Sequence, residues 1–116
     1  MDTSLLIFDG NCGFCRRSVR VMAERIHRHP VAAPWQSLDL STYGLTEEEC
    51  SKAVQYVDKR SRVHAGADAV AHVFIDAGLP WSVAGRLMCI PGIIHVCRAA
   101  YRWVADNRSR FRGDPA

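Results

Sequence analysis

No run of residues approaches the roughly 20 consecutive apolar side chains that a membrane-spanning helix requires. Residues 1–8 also lack the basic start and long apolar stretch of a secretory signal. These two absences lead to the expectation of a cytoplasmic protein with no membrane partner. Beyond Cys12 and Cys15 there is no second C-x-x-C and no H-x-x-x-H, and Cys50, Cys89 and Cys97 are scattered. Structural zinc takes about four ligands, so zinc is a minor reading, and no metal or cofactor is expected. Lysine is scarce: of 15 basic residues only Lys52 and Lys59 are lysines. Five cysteines, an odd number, cannot all pair, and in a reducing cytosol a single C-x-x-C favours catalysis over a disulfide framework.

What remains is ordinary globular material, 48% hydrophobic and 23% charged over 116 residues, enough for one domain with its own core. The reading assigns residues 1–112 to that domain and 113–116 to a frayed tail. The net charge of +3 is modest. Its arginines gather in two segments, Arg16, Arg17, Arg20, Arg25 and Arg28, then Arg98, Arg102, Arg108, Arg110 and Arg112; acidic residues cluster at Glu47–Glu49. Solvated helix faces account for such patches first, and an acidic protein partner second; nucleic acid is not expected.

The richest chemistry lies at the start. An apolar strand, Leu5 to Phe8, runs into D-G-N-C-G-F-C, which places Cys12 and Cys15 where a helix begins. The thiolate is the nucleophilic form of cysteine, and a helix N-terminus favours it through unpaired N–H groups and the helix dipole. Cys15, Val19, Met22 and Ile26 follow at helical spacing, so Cys15 is expected to face the core while Cys12 meets solvent. Cys12 is then the attacking thiol and Cys15 the resolving one. Arg16 and Arg17 fall off the apolar stripe and add positive potential near Cys12. Asp9 either stabilises the turn or accepts the Cys15 proton when a mixed disulfide resolves. Gly10 and Gly13 permit a tight turn and close approach of backbone. The candidate catalytic residues are therefore Cys12, Cys15 and Asp9, with Gly10, Asn11, Gly13, Phe14 and Arg16 binding substrate or shaping the site.

Further along, His29-Pro30 stops the first helix and Val31 to Trp35 reads as a second strand, Pro34 marking an edge or an end. Thr46 with Glu49 forms a capping box for a short helix reaching about Lys52, with Cys50 a bystander. Ala53 to Val57 and Arg62 to Ala65 make an antiparallel hairpin. Val70, Val73, Phe74 and Ala77 mark a helix that Gly78 and Pro80 stop, Trp81 to about Met88 another, and Ile94, Cys97, Tyr101 and Val104 a last one. Asp68 is expected to cap the helix that follows it, Tyr101, Trp103 and Val104 to pack, Asn107 and Arg108 to cap or pair. His64, His72 and His95 read as isolated. The order describes an α/β chain: a βαβ unit, an antiparallel β-hairpin, covering helices and an extra helical C-terminal segment. Its first two strands run parallel. This is a thioredoxin-like arrangement, with the dithiol at the C-terminal end of the first core strand.

L-L-I-F-D-G-N-C-G-F-C-R-R resembles the D-G-x-C-x-x-C signature of the DCC-type thiol-disulfide oxidoreductases. Pro34–Ser37, Gly66–Val70 and Tyr101–Arg110 resemble later blocks of that family in the same order, so the likeness covers nearly the whole chain. It implies a thioredoxin-like fold and disulfide exchange centred on Cys12 and Cys15, with Asp9 and Gly10 completing the motif. The partners implied are a disulfide-containing protein or small-thiol substrate and an electron donor. One departure from ordinary thioredoxins is the stretch Cys50-Ser51-Lys52-Ala53, which has no proline where those carry a cis-proline facing the dithiol. Ser51 or Ala53 is expected there instead, and metal access is left more open.

Two other functions compete: a soft-metal module holding Cu(I) or Zn(II) on the same thiolates, and a non-catalytic interaction domain docking through its basic patches. F-D-G-N is not read as a phosphoryl-transfer motif, because Asn11 stands where the second aspartate belongs.

Overall fold

The computed structural model describes residues 4–107. The frayed-tail assignment and Arg108 lie outside them. Four strands, β1 (Leu5–Phe8), β2 (Val31–Pro34), β3 (Gln55–Val57) and β4 (Val63–Ala65), form one sheet in the order β2-β1-β3-β4. β1 pairs with β2 in parallel and with β3 antiparallel, and β3 and β4 close the hairpin. Five α-helices join them among the described residues: α1 (Gly13–Arg25), α2 (Glu47–Lys52), α3 (Ala67–Asp76), α4 (Trp81–Met88) and α5 (Ile93–Asp106). This mixed α/β architecture is consistent with a thioredoxin-like fold.

Side-chain alternation along β1 divides the core in two. Ile7, fully buried, meets Leu40, Leu45, Cys50 and Val57 on one face. Leu6 meets Tyr56, Ala69 and Val73 on the other, with Val19 and Met22 of α1 packed against them. The first face is covered by α2 and by two 3-10 turns, Trp35–Ser37 and Leu40–Tyr43; the second by α1 and α3. The capping box of α2 forms as expected, the Thr46 hydroxyl accepting from the Glu49 N–H and the Glu49 carboxylate from the Thr46 N–H. Buried Gln55 donates to the carbonyls of Glu49 and Ala53, tying the end of α2 to β3.

The strands are shorter than the sequence suggests. Trp35 turns into a 3-10 helix instead of extending β2, and Ala53 donates its N–H to Glu49 as the cap of α2. β2 is an edge strand, where Pro34 is tolerated. Asp68 does not cap α3: the cap position is Gly66, and Asp68 pairs with Arg98 of α5. Tyr101 packs as expected, its hydroxyl accepting from Val54 N–H at 2.9 Å and its ring lying against Gly66. Asn107 caps α5, donating to the Trp103 carbonyl. Trp103 itself is 59% exposed, contrary to a packing role.

His64 and His72 are not isolated. β4 and α3 bring their rings into a stack with centroids 3.7 Å apart, and His64 Nε2 lies 2.9 Å from the Asp58 carboxylate. The pairing of Tyr56 with His64 in the hairpin register puts both on the α3 side of the sheet. Burial, then the neighbouring His64, pushes His72 below its ordinary value, against the opposing pull of Asp76, Asp58 and Asp68. Burial raises the Asp58 carboxyl, yet its bonds to His64 and to the N–H groups of Arg62 and Arg60 bring it below its usual range. Burial and the bond to Asp76 drive the Tyr56 phenol well above its normal value.

The folded state therefore disfavours the protonated His72 ring. Its stabilising contribution is complete above the ordinary value of 6.5 and is lost as pH falls from there toward the lower folded value, because the unfolded chain takes up the proton first. The Asp58 contribution disappears only at more acid pH. Urea unfolding at about pH 7.5 and pH 5.5 is expected to give lower stability at the acid value, with a smaller difference in His72→Gln. An undiminished difference in that variant would assign the pH dependence elsewhere.

Candidate functional site

β1 ends at Phe8, and a four-residue turn carries the chain into α1. Cys12 N–H donates to the Asp9 carbonyl at 3.2 Å, closing the turn. The Asp9 carboxylate accepts from the Asn11 N–H at 3.0 Å, the local bond that short acidic side chains make in such turns. Cys12 is then the N-cap of α1, in extended backbone conformation, and the Cys15 N–H donates to its Sγ at 3.2 Å. A cap residue uses its side chain to satisfy an orphan N–H. Here the Cys12 sulfur is the acceptor.

A residue overlooked in the sequence completes the turn. Gln36 donates from Nε2 to the Asp9 carboxylate at 2.9 Å and accepts the Gly10 N–H on Oε1 at 3.0 Å. The signal was present in P-W-Q-S: parallel pairing sets Phe8 opposite Pro34, so two residues further on, Gly10 and Gln36 face one another. Gly10 is required here by space. A Cβ at that position would stand 2.8 Å from Pro34 Cβ and 3.0 Å from Gln36 Oε1, so the close approach is to the protein's own chain. Arg16 folds back from α1 to donate to the Gly10 carbonyl at 2.6 Å, a second strap on the turn.

Thus Asp9, Gly10, Asn11, Cys12, Gly13, Phe14, Cys15 and Arg16 gather at one turn. The expected contrast in burial between the two cysteines is absent: both are free thiols of intermediate exposure. No residue within α1 is fully buried, although Ile26 just beyond it is. The cysteines differ instead in surroundings. Cys15, with Phe8, Asp9 and Phe14, lines a cleft of about 640 Å³ whose wall is almost wholly apolar; Cys12 does not line it. Val54 and Cys50 border the same cleft, whereas Ser51 and Ala53 do not. Ser51 instead donates to the Glu47 carbonyl within α2. Burial raises the Cys50 thiol, suiting an inert core residue. Among the described residues no group of three or more His, Cys, Asp or Glu side chains is placed to hold a metal ion, and no single helix is long and apolar enough to cross a membrane.

The turn's construction has a direct consequence for stability. Gln36→Ala removes two hydrogen bonds that hold Asp9 and Gly10, and is expected to cost about 1 kcal/mol. Gly10→Ala forces a Cβ into Pro34 and is expected to cost about 1–3 kcal/mol. Urea denaturation of the two variants checks both values; a Gly10→Ala protein as stable as the parent would contradict the close approach.

Comparison with known proteins supplies the class of chemistry. Neither a curated protein nor a solved structure matches the chain. The model of the DCC1-like thiol-disulfide oxidoreductase family, however, matches residues 6–114, a span that includes β1 from Leu6 onward, the turn with both cysteines, and the Gln36 clamp. The chain belongs to the DCC1-like thiol-disulfide oxidoreductase family.

Proposed function

We propose that the protein exchanges disulfides through Cys12 and Cys15, with Cys12 as the attacking thiol. The observation that carries this reading is the cap geometry, in which the Cys15 N–H is directed at Cys12 Sγ at the N-terminus of a thirteen-residue helix. The Cys12 thiolate attacks one sulfur of a substrate disulfide, forming a mixed disulfide and expelling the other sulfur as a thiolate. Cys15, once deprotonated, attacks Cys12 Sγ, closes the Cys12–Cys15 bridge and releases the second substrate thiolate. Two electrons pass to the substrate, and an electron donor restores the dithiol.

Asp9 has two tasks in this scheme. It holds the turn through Asn11 and Gln36. It also shares the apolar cleft wall with Cys15, and there it takes the Cys15 proton in the resolving step. Gly10 and Arg16 set the turn's shape; Asn11, exposed beside Cys12, and Phe14, at the cleft, meet the substrate. The substrate is a disulfide-bearing protein or a small disulfide, and the compartment is the cytoplasm.

Cys15→Ser incubated with hydroxyethyl disulfide should accumulate a mixed disulfide on Cys12, visible by mass spectrometry, while Cys12→Ser should not. Adduct on Cys15 alone would reverse the roles, and none on either cysteine would remove the exchange reading. Asp9→Asn should leave formation of the mixed disulfide on the Cys15→Ser background intact. In the protein with both cysteines it should slow bridge closure on the order of 100-fold, with the loss shrinking as pH rises. Equal slowing of both steps would reduce Asp9 to a turn residue.

A further inference from the structure

The surface of α4 and α5 departs from the rest of the molecule. Gly85 pins α4 to α3 so closely that a Cβ would lie 2.5 Å from the Ala71 carbonyl oxygen and 2.7 Å from Ile75 N. Val83 and Leu87, each two residues from Gly85, fall about 160° round the helix from it and face outward, 51% and 52% exposed. Leu79 and Ile90 extend this row at both ends. On α5, Ile94 is buried and Cys97, Tyr101 and Val104 follow it inward. Ile93, Val96 and Trp103 form a second, exposed row about 100° round the helix from the first, with Val96 69% exposed. Both helices therefore carry a second apolar row that is largely exposed.

Charge identifies what would cover the other side. From Leu79 to Ala105 there is no Asp or Glu, while Arg86, Arg98 and Arg102 are present and Arg108, Arg110 and Arg112 follow in the sequence. Arg98 is engaged by Asp68, and Arg86 and Arg102 are exposed on the two helices. A second copy applied to this face would set arginine against arginine. An anionic lipid surface meets both features at once: headgroups take the arginines, the acyl boundary takes the apolar row, and an exposed tryptophan suits the interface between them.

We propose that the α4–α5 face is a peripheral docking surface for anionic membranes, with the two helices lying in the plane of the interface. It revises the sequence-based expectation of no membrane partner, because that expectation concerned spanning segments, and a surface stripe needs none. The proposal is independent of the dithiol reaction.

The full-length reduced protein should float with vesicles of equal parts phosphatidylcholine and phosphatidylglycerol, less so as salt is raised, and not with phosphatidylcholine alone. Val96→Ser/Trp103→Ser, both at exposed positions, should keep the parent's circular dichroism and lower vesicle binding by about tenfold or more. Brominated lipids should quench the parent's tryptophan fluorescence, and Trp103→Phe should lose most of that quenching. The proposal is overturned by absence of flotation, by equal flotation with neutral vesicles, by unchanged binding of the double variant, or by a stripe-dependent dimer or acidic-protein complex without lipid binding.

Discussion

Parallel pairing of β1 with β2, in the register that sets Phe8 against Pro34, places the first residues beyond both strands side by side. Gln36 then lies within hydrogen-bonding reach of both Asp9 and Gly10, and the side chains of Pro34 and Gln36 stand so close to residue 10 that glycine is needed there. The turn cannot relax, and α1 must start where it does, with Cys12 as its cap and the Cys15 N–H on the Cys12 sulfur. A slip of one residue would turn every β2 side chain to the other face and withdraw Gln36. Geometry at the two thiols is thus inherited from a backbone pairing that contains neither of them.

Packing is uneven around that turn. α3 acts as the hub on its side of the sheet: Ala69 and Val73 meet Leu6 and Tyr56, Gly85 brings α4 into contact with its backbone, and Asp68 ties down α5. α1 touches the same core only through partly buried side chains such as Val19 and Met22. The space left beside it is the apolar cleft that reaches Cys15. A helix held at its start by a rigid turn and along its length by partial burial keeps the cap geometry fixed while leaving room next to the inner thiol. The proposed exchange through Cys12 and Cys15 calls for both.

Local patterns were legible wherever neighbours in sequence are neighbours in space. The C-x-x-C after an apolar strand, the Thr46–Glu49 capping box, the hairpin and the break at Gly78 and Pro80 all act within a few residues, and each element lies close to its expected place. What was misjudged involves partners carried on different elements. Asp68 looked like a cap because caps are local, but Arg98, thirty residues away, takes its carboxylate. His64 and His72 looked solitary because no spacing rule links the second strand of a hairpin to a helix face. Trp103 looked like core because helical periodicity tells that a residue shares a face with others, not which face the fold covers.

By itself the sequence determined the class of the chain, the run of its elements and the presence of a dithiol at a strand-to-helix junction, since hydrophobic period, turn residues and capping residues act over the length of one element. Only the tertiary structure decided that Gln36 clamps the turn, that the two cysteines differ in surroundings and not in exposure, and that one row of α4 and α5 is left outside. Those features depend on the register of strands and on which helix face meets α3. Both are settled by packing and steric exclusion between segments distant in the chain, which no local pattern encodes.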